Sequence, residues 1–288
     1  MKTIILTDSC SDLPYEYIEK NQIEVTYLHF LLNGKDYPDD LGQSLPYQEF
    51  YAAVRQGAMP TTSQINAHSF VEIFTKHAQK GEPLIYIAFS SALSGTYNSA
   101  VAAKEMVLED YPEAKISLVD SRSASLGLGL LVHYAVELRD QGQSSEEITN
   151  WLEANKLRLN HWFTVEDLHH LKRGGRVSGT AAFVGSMLDV KPVLNIDREG
   201  RLIPIAKVRG RNKSLKYLKD QLGERIEEAE KQVIFISHGD SLGDAEHLKE
   251  IILESYPVKE VVIGYVGPVI GAHSGPGTIA LFFMGQER

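Results

Sequence analysis

The stretch Pro83 to Ala100, PLIYIAFSSALSGTYNSA, decides how the rest of the chain is read. Leu84, Ile85, Tyr86, Ile87, Ala88 and Phe89 form a nearly unbroken apolar run just after Gly81 and Pro83. Such a run reads as a strand buried on both faces, as in a parallel sheet covered by helices. Ser90, Ser91, Ser94, Gly95 and Thr96 follow, placing hydroxyls and pliable backbone at the strand's carboxyl end. Tyr97, Ala100, Val101 and Met106 then recur at helical spacing. In open parallel sheets, ligands bind beyond the carboxyl ends of the strands. A helix N-terminus there presents unpaired N–H groups and a partial positive charge, which suit an anion. The stretch reads as one wall of a site for a small anionic group.

Upstream, Thr3 to Leu6 reads as a strand that ends at Thr7, Asp8 and Ser9. Asp12 and Pro14 then predict a helix start, with Asp12 as cap and Pro14 in the first turn. Glu24 to Leu32 reads as a second strand, closed by an Asn33–Gly34 turn. Tyr37 to Leu45 is polar and reads as a loop over the site, and Pro46 to Gln56 as a short amphipathic helix. Thr61, Thr62 and Ser63 form a second hydroxyl cluster, just before a helix that Asn66 can cap and that runs to about Gln79. Capping and turn chemistry alone would also account for that cluster.

Downstream, Ile116 to Val119 reads as a strand ending at Asp120 and Ser121. Leu126 to Arg139 reads as an apolar helix whose Gly127 and Gly129 imply close packing. Ser144 with Glu147 is a capping box. Strands alternate with helices, which predicts βαβ units and a parallel sheet.

Near residue 160 the rhythm changes. Trp162 to Val165 reads as a strand, Leu168 to Leu171 as a short helix, and Ser178 to Leu188 as a longer one. Lys191 to Ile196 and Arg201 to Val208 read as a hairpin. A helix from Ser214 to Glu230, a strand from Val233 to Ser237, a helix from Leu242 to Ser255 and a strand from Val261 to Val266 follow. Gly267 to Gly277 holds four glycines and two prolines in eleven residues and reads as a loop of special path, with His273 in its middle. Thr278 to Phe283 is the last strand. The predicted architecture is α/β in two domains. Residues 1–158 form an N-terminal parallel α/β/α sandwich, and residues 159–288 a C-terminal α/β domain with a mixed sheet.

Composition narrows the function classes. Of 288 residues 43% are hydrophobic, ordinary for a globular chain, and no stretch approaches the roughly 20 apolar residues of a membrane span. Asp8 interrupts the N-terminal apolar run, so a signal peptide is not expected. The single cysteine, Cys10, rules out an internal disulfide, fits a reducing cytoplasm and reads as a packed thiol. A formal net charge of −9 argues against nucleic acid as a partner.

Several motifs fail. Gly174 to Gly179, GGRVSG, has P-loop spacing, but Thr180 stands where the phosphate-binding lysine belongs. There is no G-x-S-x-G elbow, and no Cys/His/carboxylate set has zinc-ligand spacing. A serine-dependent esterase acting on acyl substrates remains the alternative, with Ser94 or Ser91 as nucleophile and His273 as a remote base. A phosphate-binding or kinase-like role for the Gly-Gly-Arg loop is a third reading.

Five elements in order carry a resemblance: TDSCSDL at Thr7 to Leu13, PTTSQ at Pro60 to Gln64, FSSALSGTYNSA at Phe89 to Ala100, LKRGGRVSG at Leu171 to Gly179, and GPVIGAHSGPG at Gly267 to Gly277. Together they resemble the DegV family of bacterial fatty-acid-binding proteins. Thr61 departs from the basic residue of many members. The resemblance implies two α/β domains with a long-chain fatty acid between them, its tail in an apolar tunnel. It implies a carboxylate site at Thr62, Ser63, Ser94, Gly95, Thr96 and His273. It also implies a carrier that is not itself a catalyst and needs no cofactor beyond its bound lipid. The carrier presents the acid to a separate ATP-dependent fatty acid kinase, and the acyl phosphate enters phospholipid synthesis.

Hydroxyl and backbone donors suit a carboxylate that must stay reactive, whereas a bidentate arginine would hold it fast. Burying about 14 methylenes at about 0.8 kcal/mol each offers roughly 11 kcal/mol before binding costs. A C16–C18 acid is the expected ligand, with Phe183, Val184 and Met187 as possible tunnel residues or ordinary core. Lys172, Arg173, Arg176, Arg209 and Arg211 form a basic group against the acidic total. It reads either as a solvated loop or, through Arg173, Arg176 and Arg209, as a docking patch for the kinase. A monomer with at most transient membrane contact is expected.

Overall fold

Every side chain from Leu84 to Ala88 is buried, as a strand flanked by strands and covered on both faces requires. The computed structural model describes residues 2–166, 168–177 and 189–288. The helix expected from Ser178 to Leu188, with Phe183, Val184 and Met187, lies outside the described residues.

In chain order the first half runs β1 (Ile4–Asp8), α1 (Tyr15–Asn21), β2 (Glu24–Thr26), β3 (His29–Leu32), β4 (Lys35–Pro38) and α2 (Tyr47–Arg55). It continues through β5 (Thr61–Ser63), α3 (Ala67–Lys80), β6 (Leu84–Ala88), α4 (Thr96–Asp110), β7 (Ile116–Asp120), α5 (Leu126–Asp140) and α6 (Ser145–Asn155). The second half contains β8 (Leu159–Thr164), α7 (His169–Arg173), β9 (Val190–Ile196), β10 (Leu202–Arg209) and α8 (Arg211–Arg225). It ends with β11 (Val233–His238), α9 (Leu242–Leu253), β12 (Glu260–Tyr265), α10 (Pro268–Ser274) and β13 (Ile279–Met284).

Two main sheets result. One is parallel, in the order β2-β1-β6-β7. The other is mixed, in the order β10-β9-β8-β13-β11-β12, with only β11 and β12 parallel. The β9–β10 hairpin forms as expected. Asn66 caps α3 by accepting from Ser69 N–H at 3.0 Å, and the Ser144–Glu147 capping box is complete.

The structure corrects six local expectations. Glu24 to Leu32 is not one strand. Leu28 N–H donates to Ser9 Oγ and Asp39 N–H to the Leu28 carbonyl, so the chain leaves β1 there. β3 instead joins a small antiparallel sheet, β4-β3-β5, through a turn with Asn33 and Gly34 at φ 51° and 82°. The polar segment from Tyr37 therefore begins as strand β4. Asp12 does not cap α1; it sits at φ 52° after a turn at Ser9–Ser11, and its carboxyl turns inward to Ser125. The glycine-rich Gly267–Gly277 segment contains a helix, α10, with Pro268 at its first position and Val269 N–H on the Asp39 carboxyl. Gly271 is required there: a Cβ would lie 2.6 Å from Tyr51 Oη. α8 stops at Arg225 because Ile226 is extended, and Met106 faces solvent.

Helix α5 joins the two sheets. Leu126, Leu128, Leu130, Leu131 and Val132 are all fully buried. Its two glycines face opposite sheets. A Cβ on Gly129 would lie 2.8 Å from the Ser11 carbonyl oxygen, beside β1. One on Gly127 would lie 2.4 Å from His161 Nε2 of β8 and 2.8 Å from Phe282 of β13. A single apolar core consequently contains Leu6 and Ile87 from one sheet and Phe163 and Phe282 from the other. Ser90 Oγ also donates to the Gly200 carbonyl at 2.9 Å across the seam. Arg288 donates to the carbonyls of Leu159, Arg122 and Lys156 and to Ser123 Oγ.

Asp8, Asp12 and Asp39 are buried at this seam. Burial pushes Asp8 up to about 6, Asp39 up to about 7, and Asp12 well above the usual carboxylate range.

The packing and burial set three expected outcomes. Alanine is ordinarily favoured over glycine in a helix by about 0.5–1 kcal/mol. Gly243→Ala in α9, where a Cβ meets nothing within 4 Å, should gain stability of that order in chemical denaturation. Gly129→Ala should instead lose about 1–3 kcal/mol, because backbone must move to admit the methyl. A group whose folded pKa is raised stabilises below its unfolded value, and that stability is lost as pH rises through the folded value. Asp39, raised from 3.8 to about 7, thus weakens the native state progressively over that window. Asp39→Asn should be more stable relative to the parent at pH 8 than at pH 4, read from denaturation midpoints at both.

Candidate functional site

A cavity of about 390 Å³ lies between the carboxyl end of β6 and the inner face of the mixed sheet. Phe89, Leu93, Phe163, Ile196, Val269 and Phe282 are among its chiefly apolar lining. That combination of an apolar enclosure with a few convergent polar groups is what a small-molecule site requires.

Most of the residues expected at a carboxylate site are among the lining. Thr62, Ser63, Ser94, Gly95 and His273 line the cavity. Thr62 Oγ1 and His273 Nε2 are 2.9 Å apart, joining β5 of the first half to α10 of the second. Ser94 Oγ lies 2.9 Å from Thr96 Oγ1 and accepts Thr96 N–H at 3.2 Å. Thr96 itself is buried behind the lining; its hydroxyl accepts Ile65 N–H at 3.4 Å and orients Ser94. Two glycines make the arrangement possible. A Cβ on Gly95 would strike Gln64 Oε1 at 2.1 Å, and one on Gly174 would strike His273 Nδ1 at 2.1 Å.

Burial lowers His273 to about 4, with the Arg176 and Arg173 guanidinium groups adding to the effect. Its imidazole is therefore neutral near pH 7, able to donate from one nitrogen and accept at the other. It presents dipoles, not a fixed cation, to whatever lies beside it.

The basic residues take different places. Arg176 is exposed yet lines the cavity, and its Nε donates to the Leu93 carbonyl at 3.3 Å. Arg173 is exposed and donates to the Ala272 carbonyl at 3.2 Å, next to His273. Arg209 is exposed at the end of β10. The segment Tyr37 to Leu45, expected over the site, contributes nothing to the lining. The serines of the esterase reading are engaged elsewhere: Ser91 Oγ donates to Asp120 at 2.6 Å, Ser94 meets Thr96, and His273 meets Thr62.

Sequence reasoning missed six polar lining residues: Gln64, Ser125, His161, Ser237, Ser274 and Thr278. Ser125 had a signal, since the run Ser121 to Ser125 repeats the strand, hydroxyl loop, helix pattern of Phe89 to Thr96. His161 and Ser237 had none, because they sit within strands whose inward faces only pairing reveals. Among the described residues, no three His, Cys, Asp or Glu side chains cluster so as to hold a metal ion. Also among them, no helix is long and apolar enough to cross a membrane.

Comparison with known proteins matches this geometry to a family. A family model described as "Uncharacterised protein, DegV family" matches residues 2–286. A DegV domain-containing protein of Clostridium perfringens is 48% identical over 289 residues, covering 100% of this chain and 99% of its own. Among solved structures, a DegV lipid-binding protein from Thermotoga maritima superposes with a TM-score of 0.88 at 32% identity, covering 100% of both chains. A fatty-acid-binding DegV family protein from Thermus thermophilus superposes with a TM-score of 0.89 at 31% identity, covering 99% of this chain and 100% of that one. With a family model matched over residues 2–286 and a relative 48% identical along the whole chain, the chain belongs to the DegV family.

Proposed function

We propose that the protein binds a long-chain fatty acid in this cavity, between lobes formed by residues 1–158 and 159–288. The observation that carries the reading is a chiefly apolar cavity in which Thr62 meets His273 at 2.9 Å and the Ser94–Gly95 turn packs against Gln64, next to Ser63. The tail supplies affinity through burial, and the hydroxyls and neutral imidazole supply hydrogen bonds to the carboxylate. Fatty acid binding by the Thermus thermophilus relative supports this assignment. A ligand of C16–C18 length suits a cavity of this size.

In this reading the protein is a carrier and not a catalyst. Its carboxylate-binding groups leave the acid nucleophilic, ready for a separate ATP-dependent fatty acid kinase whose acyl phosphate feeds phospholipid synthesis. Arg173 and Arg209, with Arg176 at the cavity mouth, form the docking surface, where complementary charge speeds encounter and fixes orientation.

Mass spectrometry of an organic extract of the purified protein should find a stoichiometric C16–C18 acid. An empty extract, together with ester turnover abolished by Ser94→Ala, would favour the esterase instead. Thr62→Ala and Ser94→Ala should each weaken binding of octadecanoic acid by about 1.5–3 kcal/mol in calorimetric titration, as expected for a lost bond to a charged acceptor. Unchanged affinity in both would place the head group elsewhere. Arg173→Ala should slow phosphorylation of the bound acid by a cognate kinase and reduce its salt sensitivity, with lipid affinity retained. A fall in lipid affinity would move Arg173 into the pocket.

A further inference from the structure

The two hydroxyl clusters at the cavity belong to different sheets. Thr62 and Ser63 lie on β5 of the small antiparallel sheet, and Ser94 and Thr96 follow β6 of the parallel one. Among the described residues no strand pairing joins β5 to β6, so backbone register does not set the distance between the clusters. Contacts just past the end of β5 do. Thr96 Oγ1 accepts Ile65 N–H at 3.4 Å and lies 2.9 Å from Ser94 Oγ. Gln64 Nε2 donates to Ser99 Oγ at 3.2 Å, in the first turn of α4.

Gly95 shows how close the glutamine comes. It holds φ −74° and ψ 0°, an ordinary turn conformation open to any side chain, so its backbone does not call for glycine. Space does. A Cβ there would lie 2.1 Å from Gln64 Oε1, 2.9 Å from Cδ and 3.1 Å from Nε2. Those are its three nearest atoms beyond its chain neighbours, so the room a side chain would need is taken by the Gln64 carboxamide.

Gln64 is exposed, unlike the buried Ile65 beside it, and lines the cavity. An exposed glutamine adds little to a hydrophobic core, and holding its long side chain in one place costs conformational entropy. The fold gains little from fixing it. A carboxylate site gains more. A carboxylate has two oxygens, and it can bond both clusters at once only where their spacing matches its own.

We propose that Gln64 is a positioning residue for the carboxylate: held between Gly95 and Ser99, it sets the spacing of Thr62 and Ser63 from Ser94. This role rests on the fatty-acid reading of the cavity. It makes Gln64 a determinant of head-group specificity. A primary alcohol on the same tail has one oxygen, needs only one cluster and is indifferent to the spacing. An ionised acid loses a charge-assisted bond when the spacing relaxes.

The test is competition on the delipidated full chain between octadecanoic acid and an excess of octadecan-1-ol, read by mass spectrometry of the retained lipid. Gln64→Ala should lower the retained acid-to-alcohol ratio roughly tenfold, the worth of about one hydrogen bond to a charged acceptor, with the denaturation midpoint unchanged. Gly95→Ala should lower the ratio similarly by displacing the carboxamide. Adding Gly95→Ala to Gln64→Ala should bring no further loss, because the contact is already gone. Should Gly95→Ala alone not fold, folding restored by the added Gln64→Ala reads out the same contact. An unchanged ratio in Gln64→Ala, a ratio lowered together with the midpoint, or a double variant that loses more or fails to fold overturns the positioning role and leaves the carrier reading standing. Failure of the parent chain to retain either lipid overturns both.

Discussion

The structure depends on how closely the backbone of α5 approaches two sheets at once. A helix bearing ordinary side chains on both faces would hold the sheets about 10 Å away on each side. Gly129 brings α5 against the turn after β1, and Gly127 admits the rings of His161 and Phe282 from the mixed sheet. One apolar core therefore runs through both halves of the chain. The cavity is the part of this seam that side chains leave unfilled, and Ala124 and Ser125, just before α5, form part of its wall.

The same seam explains the unusual protonation of the site. Taking a carboxyl or imidazole out of water disfavours its charged form, so Asp8, Asp12, Asp39 and His273 all shift toward neutrality. His273 then serves near pH 7 as a hydrogen-bonding group and not as an ion, while Asp8 accepts from Cys10 N–H, Phe89 N–H and the Tyr86 hydroxyl. Asp39 holds the N-terminus of α10, which carries His273, and Asp12 holds Ser125. His273 thus presents dipoles to the apolar space, while Arg176, which lines the same cavity, is exposed to water that screens its charge.

Much of the architecture was legible from residue order. The apolar run Leu84–Ala88, the capping pairs at Asn66 and Ser144, and the β9–β10 hairpin appear where their local chemistry placed them. The failures share a cause. Glu24–Leu32 is uniformly strand-like in composition, yet its split is decided by Ser9 and Asp39, remote residues that capture the Leu28 backbone groups. Asp12 has the composition of a helix cap, but a partner more than a hundred residues away claims its carboxyl. The Gly267–Gly277 segment has a loop's composition, and Asp39 supplies the donor-satisfying contact that lets it start a helix.

What the sequence determined by itself was most of the helices and the main-sheet strands, together with the identity of the hydroxyl-bearing loops, because helix periodicity, caps and strand-end serines are local properties. Only the tertiary structure decided that β5 and α10 meet at Thr62 and His273, and that Ser125, the residue before α5, lines the cavity. It alone decided that His161 and Ser237 face inward. Which side of a strand points into a cavity depends on pairing register and on what packs against the sheet, and both are set by contacts between residues far apart in the chain.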